Sequence, residues 1–454
     1  MKRCHVCWKS NEYDRPACGR GLCSGKTRRH RVEMIRRERN MWAVVLSLIS
    51  AAALVALGNL RVAAPAAVSV MVVWGAAVCI LPKPKLGLPK LVTYALLVRL
   101  ILVASEPTLS DDVYRYIWEG FVALKGGNPY LYAPADPLWD SVGLLDIRNQ
   151  VNHPEISAVY PPLTIWLFAV LAAISTTPVV VQAAMGLADV GVAWALGRIL
   201  HRRGRSLAPA WLYALHPLGA VESAGSGHVE SVGVLCMLLA IDSWDRRESG
   251  AGWAMTGALV KFLPAALLPR LWRKRPWLLG MGILIAVMTA LPFMDAGTAM
   301  VSGLGTYASS WQFNGLVYSL MTPILGDSAR WVAMAIGAVV VVRAIRVHWL
   351  PERVALWTCG AFVILSPTVH PWYLLWAWAP ALLCGVRSWT LFATMMPLSY
   401  LVFLTYDPVT RAWEEQTWLP VLTTLPFLLS LIWESVRHGT LPGPWGPGPQ
   451  ESLS

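Results

Sequence analysis

Charge is what this sequence has least of. Asp, Glu, Lys and Arg make up 14% of its 454 residues, where a soluble domain carries about 25%. That deficit excludes an ordinary water-soluble enzyme. A glycine-rich phosphate loop is missing, as is the G-x-G-x-x-G fingerprint of a dinucleotide fold, so nothing announces a nucleotide-sugar donor. No tandem or inverted repeat is visible, against the internal symmetry of many transporters. No cleavable signal peptide is expected, because the first apolar run is long and lies behind 40 polar residues.

What the chain has instead is hydrocarbon. Hydrophobic residues are 56% of the total and mean hydropathy is +0.50. The runs "MWAVVLSLISAAALVALGNL" (41–60) and "VAAPAAVSVMVVWGAAVCIL" (62–81) hold no charge and are long enough to cross a bilayer of roughly 30 Å. An all-α, polytopic transmembrane bundle of about 12–14 membrane helices follows, multi-pass in the plasma (inner) membrane.

The net charge of +12 does not mark a nucleic-acid partner, because it is concentrated at one end. Residues 1–40 hold 12 Lys+Arg against 4 Asp+Glu, which places +8 ahead of the first span. A basic flank of this kind anchors a cytoplasmic N-terminus. Cys79, Cys236, Cys359 and Cys384 lie singly in apolar runs and read as small core residues. Cys4, Cys7, Cys18 and Cys23 cluster in the basic tail. Four thiolates suit tetrahedral zinc. The other reading, which the sequence favours, is a disordered extension ahead of a start at Met34 or Met41, with no metal.

Basic loops thread the rest. Span 41–60 goes out, 62–81 returns, "KPKLGLPK" (83–90) is cytoplasmic and 91–104 goes out again. The loop 105–160 is then extracytoplasmic, helical and the largest in the chain. "HRRGR" (201–205) must be cytoplasmic, so the short, Pro-led run 161–174 reads as interfacial or re-entrant, and only 178–200 crosses. Spans near 206–221 and 229–241 follow. The segment 251–276 reads as a hairpin of short helices with Lys261 towards its outer end, and later spans lie near 277–292, 329–349, 354–368, 372–386, 389–405 and 417–436. Both termini fall inside. The membrane domain is 41–436, and the Pro/Gly-rich 437–454 is a disordered tail.

This threading sorts the unusual polar residues to the outer face. They are Asp111, Asp112, Arg115, Glu119, Asn128, Asn152, His153, Tyr160, His216, Glu222, His228, Glu230, Lys261, Trp311, Asn314, His370, Trp372 and Tyr373. Ionisable groups near a bilayer are costly and usually functional. Ser110 is a candidate helix N-cap, and an acid in the first turn offsets the helix dipole by roughly 0.3–1 kcal/mol. That accounts for one of the two aspartates. Asp112, Tyr116 and Glu119 share one helix face, with Asp111, Arg115 and Trp118 on the next. A carboxylate there meets a polar acceptor from water and a lipid-linked donor from the membrane.

The ordered set "SDDVYRYIWEG…GGNPYLYAP…NHPEISAVYPPL", "HPLGAVESAGSGHVES", "LVKFLP", "SGLGTYASSWQFN" and "SPTVHPWYLLW" resembles bacterial members of the GT-C glycosyltransferase superfamily, the polyprenyl-phosphate-mannose-dependent mannosyltransferases. The resemblance runs from about residue 91 to 405. It implies an enzyme taking a sugar, mannose by preference, from a polyprenyl-phosphate donor at the outer face, with an acid of the first large external loop as base. That role carries over to Asp111 or Asp112. After Gly-His-Val the family pattern leads one to expect Asp, and this chain has Glu230, which leaves that position open. An inverting transfer needs cationic donors for the departing phosphate, and Arg115, Lys261, His228 and His370 are the candidates. No cofactor is required, although paired aspartates could hold Mg²⁺ or Mn²⁺. The competing reading is a transporter or flippase of a lipid-linked saccharide.

The threading predicts that an impermeant thiol reagent applied from outside labels single cysteines at 128 and 370 and spares those at 83 and 203. Labelling at 203 would overturn both the threading and the re-entrant reading of 161–174.

Overall fold

The structure is a computed structural model and describes residues 41–272, 276–347, 349–407, 409–410 and 412–437; the tail cysteines and the Pro/Gly-rich end lie outside them. Among the described residues everything regular is helical, apart from isolated bridges joining Phe313 and Asn314 to Thr368. The chain opens with α1 (Trp42–Ala56), α2 (Ala64–Ile80) and α3 (Leu88–Leu102), followed by α4 (Asp112–Leu124) at the start of the long loop. Next come α5 (Pro162–Ile174), α6 (Pro178–Arg202), α7 (Ala208–Leu215), α8 (Glu230–Asp242) and α9 (Arg247–Val260). The second half holds α10 (Trp277–Ala290), α11 (Ser302–Ser310), α12 (Leu316–Leu325), α13 (Ser328–Arg346), α14 (Pro351–Leu365), α15 (Leu374–Cys384), α16 (Ser388–Met395) and α17 (Trp418–Arg437). Pro at the first turn starts α3, α5, α6 and α14, where its missing N–H costs nothing.

Among the described residues, five helical stretches are long and apolar enough on their own to cross a membrane: 178–202, 277–310, 328–346, 388–405 and 418–437. The other expected spans are shorter or interrupted. The stretch expected at 206–221 bends at His216–Pro217, and 251–276 breaks at Lys261, which is extended. The stretch 277–310 kinks at Gly297. Helix α5 has 13 residues, about 20 Å of rise, too short to cross alone. Burial separates centre from rim: 56% of the apolar window of α6 is buried, against 17% of that of α13.

A buried ion pair pins the centre. Arg99 of α3 donates from Nε and Nη2 to Asp189 Oδ2 of α6 at 2.9 and 2.7 Å, and Tyr213 of α7 donates to Asp189 Oδ1 at 2.5 Å. Arg99 Nη1 also reaches the Ala214 carbonyl. Three helices are thereby fixed by groups that hydrocarbon cannot satisfy.

One end of the bundle gathers the basic loops. Arg198 and Arg202 pair with Asp242, Arg203 pairs with Glu352, and Arg205 and Arg270 donate to carbonyls of Leu383 and Trp349.

Away from that end, α4 lies against α5. Tyr116 stacks on Phe168 with centroids 4.4 Å apart, and Gly120 lets the two backbones touch, since a Cβ there would overlap the Phe168 carbonyl. Gly120→Ala must therefore push α4 off α5. We expect a loss of thermal stability in detergent of about 1–3 kcal/mol, typical of overpacking. An unchanged unfolding midpoint would mean that this contact is not tight.

Candidate functional site

A cavity of about 960 Å³ opens beside the start of α4. Asp111 and Asp112 both reach it, on different partners. Asp111 Oδ1 accepts from Arg61 Nη2 at 2.9 Å; Arg61 also donates to the Tyr406 hydroxyl at 3.2 Å and lies over the rings of Phe403 and Tyr406. Asp112 Oδ1 accepts from Asn152 Nδ2 at 2.9 Å, while its Oδ2 stands 3.9 Å from His228 Nε2. The backbone N–H of Asp112 donates to Ser110 Oγ at 3.3 Å, although the N-cap position falls on Asp111 and not on Ser110 as the sequence suggests.

Arg115 lines the cavity wall, but its guanidinium is committed. It binds Glu119 at 3.1 Å, the Ile156 and His153 carbonyls at 3.0 and 2.8 Å, and the Asn152 carbonyl and side chain. The fork therefore clamps the 152–156 loop to α4. Burial raises the Glu119 carboxyl to about 7 against the pull of Arg115. His153, at φ 46°, packs edge-on against Trp311 with centroids 4.2 Å apart, and burial lowers its pKa.

Lys261 projects from the break after α9 and pairs with buried Glu230, its ammonium 5.0 Å from the Tyr373 ring centre and 5.7 Å from that of Tyr160. Tyr373 and Tyr307 share a hydrogen bond of 2.7 Å. A column of rings runs beside them: His228 on Trp372 at 3.7 Å, Trp372 on His370 at 4.3 Å, His370 on Phe313 at 5.0 Å. Burial pushes His370 down to about 3. Burial thus works against its imidazolium form.

Of the residues singled out from the sequence, Asp111, Asp112, Arg115, His153, Tyr160, Lys261, Trp311, His370, Trp372 and Tyr373 line this cavity. Tyr116, Glu119, Asn128, Glu222, His228 and Asn314 are buried behind it. Asn128 holds the loop to Phe293 and Asp295; Asn314, at φ 55°, donates its backbone N–H to Glu415 and accepts from Thr423. His216 bonds Thr394 across the bundle, away from the cavity. Sequence reasoning missed Arg61, Arg330, Tyr307 and Tyr406. Arg61 lies in a short turn between apolar runs, where a lone arginine reads as a linker. Arg330 lines the cavity with a buried Nη1 that has no hydrogen-bond partner among the described residues.

The two carboxylates bond Arg61 on one side and Asn152 on the other, and among the described residues no three His, Cys, Asp or Glu side chains gather to hold an ion.

Comparison with known proteins bears on this geometry. The family model described as alpha-(1->6)-mannopyranosyltransferase, N-terminal domain, matches residues 29–272, a stretch that includes both aspartates, Arg115, His228 and Lys261. A probable alpha-(1->6)-mannopyranosyltransferase of Mycolicibacterium smegmatis is 26% identical over 430 residues, covering 77% of this chain and 74% of that protein. Alpha-(1->6)-mannopyranosyltransferase A of Corynebacterium glutamicum is 26% identical over 264 residues, covering 55% of this chain and only 51% of that relative's length. No solved structure matches. With more than half its length under that family model and an acid-bearing cavity set in an all-helical membrane bundle, the chain belongs to the alpha-(1->6)-mannopyranosyltransferase family, the mannosyltransferases of GT-C type.

Proposed function

We propose that this chain transfers mannose from a polyprenyl-phosphate donor to a saccharide hydroxyl at the extracytoplasmic face of the plasma membrane, with inversion and with Asp112 as general base. The observation that carries this reading is the two-sided cavity. One side offers Asp112, Asn152, Lys261 and Tyr307 to polar atoms. The other is a trough along α13, where Ala333, Gly337, Val341 and Ile345 recur every fourth residue and so share one face. From Arg330 at its head to Ile345 the trough runs about 22 Å, on a helix that is mostly unburied. That suits a long lipid tail entering from the membrane better than a nucleotide.

Chemistry supports the same assignment. A hydroxyl is a poor nucleophile and needs a base as it attacks the anomeric carbon. Asp111 is occupied by Arg61, whereas Asp112 is held by a neutral amide. Asp112 is therefore the carboxylate poised for the acceptor proton. Retention by double displacement would need a second carboxylate as nucleophile, and the neighbouring one is bound to a guanidinium. Lys261 and Arg330 are the cations on the cavity wall that would meet the departing phosphate, with Glu230 setting the position of the ammonium.

Asp112→Asn keeps the volume and removes the base. With a polyprenyl-phosphate [¹⁴C]mannose donor and a short mannoside acceptor, transfer should fall about 10²–10⁴-fold while the donor still binds. A helix-dipole role alone would cost about 1 kcal/mol or less of stability and leave the rate near normal. Asp111→Asn should cost less than Asp112→Asn; wild-type transfer by both variants would remove the base assignment.

A further inference from the structure

Behind Asp112 stands a set of buried polar groups that transfer by a lone base does not require. The chain leaves α7 at His216–Pro217, forms a π turn over Val221–Gly225, and swings through Gly227 at φ 79° into α8. A π turn adds a residue to the helical ring and re-aims the side chains on it. Here it turns Glu222 inward, and the wide loop brings His228 back over it, with the His228 N–H donating to the Glu222 carbonyl at 3.0 Å.

The imidazole of His228 is fully enclosed. Its Nδ1 faces two acceptors, the Glu222 carbonyl at 3.1 Å and Glu222 Oε2 at 3.2 Å. Both can only accept, so Nδ1 carries the hydrogen and Nε2 is left as a bare acceptor. Nε2 is buried without a hydrogen-bond partner among the described residues, and Asp112 Oδ2 is 3.9 Å away. Glu222 is fixed in turn by the Tyr400 hydroxyl, 2.9 Å from both carboxylate oxygens. Stacking on Trp372, with rings 19° apart, holds the imidazole plane.

A buried acceptor with no donor is expensive. The hydrogen positioned to satisfy it is the one that Asp112 acquires during transfer. We propose that His228 is a positioning residue that relays the proton Asp112 removes from the acceptor, in a line Asp112–His228–Glu222 anchored by Tyr400. This rests on Asp112 being the base. The acceptor O–H proton passes to Asp112 Oδ2 as the new C–O bond forms and the anomeric C–O bond to phosphate breaks, its electron pair leaving with the phosphate. The proton then moves from Oδ2 to His228 Nε2, producing an imidazolium beside the Glu222 carboxylate. It leaves by the same route once the lipid phosphate departs. The charged and titratable groups around His228 are Asp112 on α4, Glu222 on the π turn, Glu230 on α8 and His370 ahead of α15, with Lys261 held on Glu230.

The test is the pH dependence of transfer by the purified full chain, using the same labelled donor and acceptor. His228 must be neutral to accept, so the wild-type rate should fall on the acid side as the imidazole becomes protonated. Glu222→Gln preserves shape and the Tyr400 contact but removes the anion that favours imidazolium. Its acid limb should move down by about 1–3 pH units, with KM for the donor unchanged. His228→Gln should lower kcat about 10²-fold or more, again at unchanged donor KM, and lose that limb. A wild-type limb in Glu222→Gln overturns the relay even if His228→Gln fails to fold. A slower His228→Gln with its limb unmoved overturns it too, because packing alone would give that result. Asp112→Asn separates the two claims. If it transfers normally, the base reading falls and takes the relay with it. If it is slow while both other variants keep the wild-type profile, only the relay falls.

Discussion

The fold depends on one constraint: polar groups deep in an apolar bundle have no water to satisfy them. The Arg99–Asp189–Tyr213 cluster meets it by tying α3, α6 and α7 with three side-chain hydrogen bonds to a single carboxylate. Removing one partner of such a pair leaves a buried charge, at a cost of about 3–5 kcal/mol. The π turn that carries Glu222 begins only a few residues after Tyr213, and Gly186, one turn before Asp189, packs on Ala224 of that turn. The pin at the centre thus sets the position of the groups behind Asp112, although it touches nothing in the cavity.

The same constraint explains why so many polar residues near the site do not face it. Arg115 closes the long loop by binding the carbonyls of residues 152, 153 and 156, groups that would otherwise face the protein interior unpaired. Asn128 and Asn314 serve similarly, donating to the carbonyls of Phe293 and Val369, while Glu119 holds the Arg115 guanidinium. A guanidinium fork suits this work because it offers five donors in fixed directions. The price of an ordered cavity at the bilayer surface is a shell of polar side chains spent on backbone.

How much of this was legible in the sequence follows from which signals are local. Apolar length and basic loops are local, so helical class and the grouping of basic turns at one end could be read directly. The motif around Asp111 and Asp112 was also visible, because acids are rare in such a chain. The role of Arg115 was not, since its partners are backbone carbonyls some 40 residues away, and carbonyls leave no mark in a sequence. Arg61 escaped for a related reason: its value lies in meeting Asp111, Phe403 and Tyr406, brought together from three parts of the chain. Lys261 stands out in the sequence, but nothing local marks Glu230, 31 residues earlier, as its partner.

Two adjacent aspartates look redundant until their partners are compared. Alternate residues at a helix start point in different directions, so one carboxylate can be neutralised while its neighbour stays reactive. Arg61 takes Asp111 into an ion pair flanked by rings, which anchors the start of α4 to the α1–α2 turn. Asp112 accepts from the Asn152 amide, a donor that orients a carboxylate without adding positive charge beside it. A guanidinium in that place would stabilise the anion and make it a poorer base. The division requires both acids: the first fixes the helix that aims the second. On the proposed reading, the Asp-Asp sequence combines an anchor and a base within one turn.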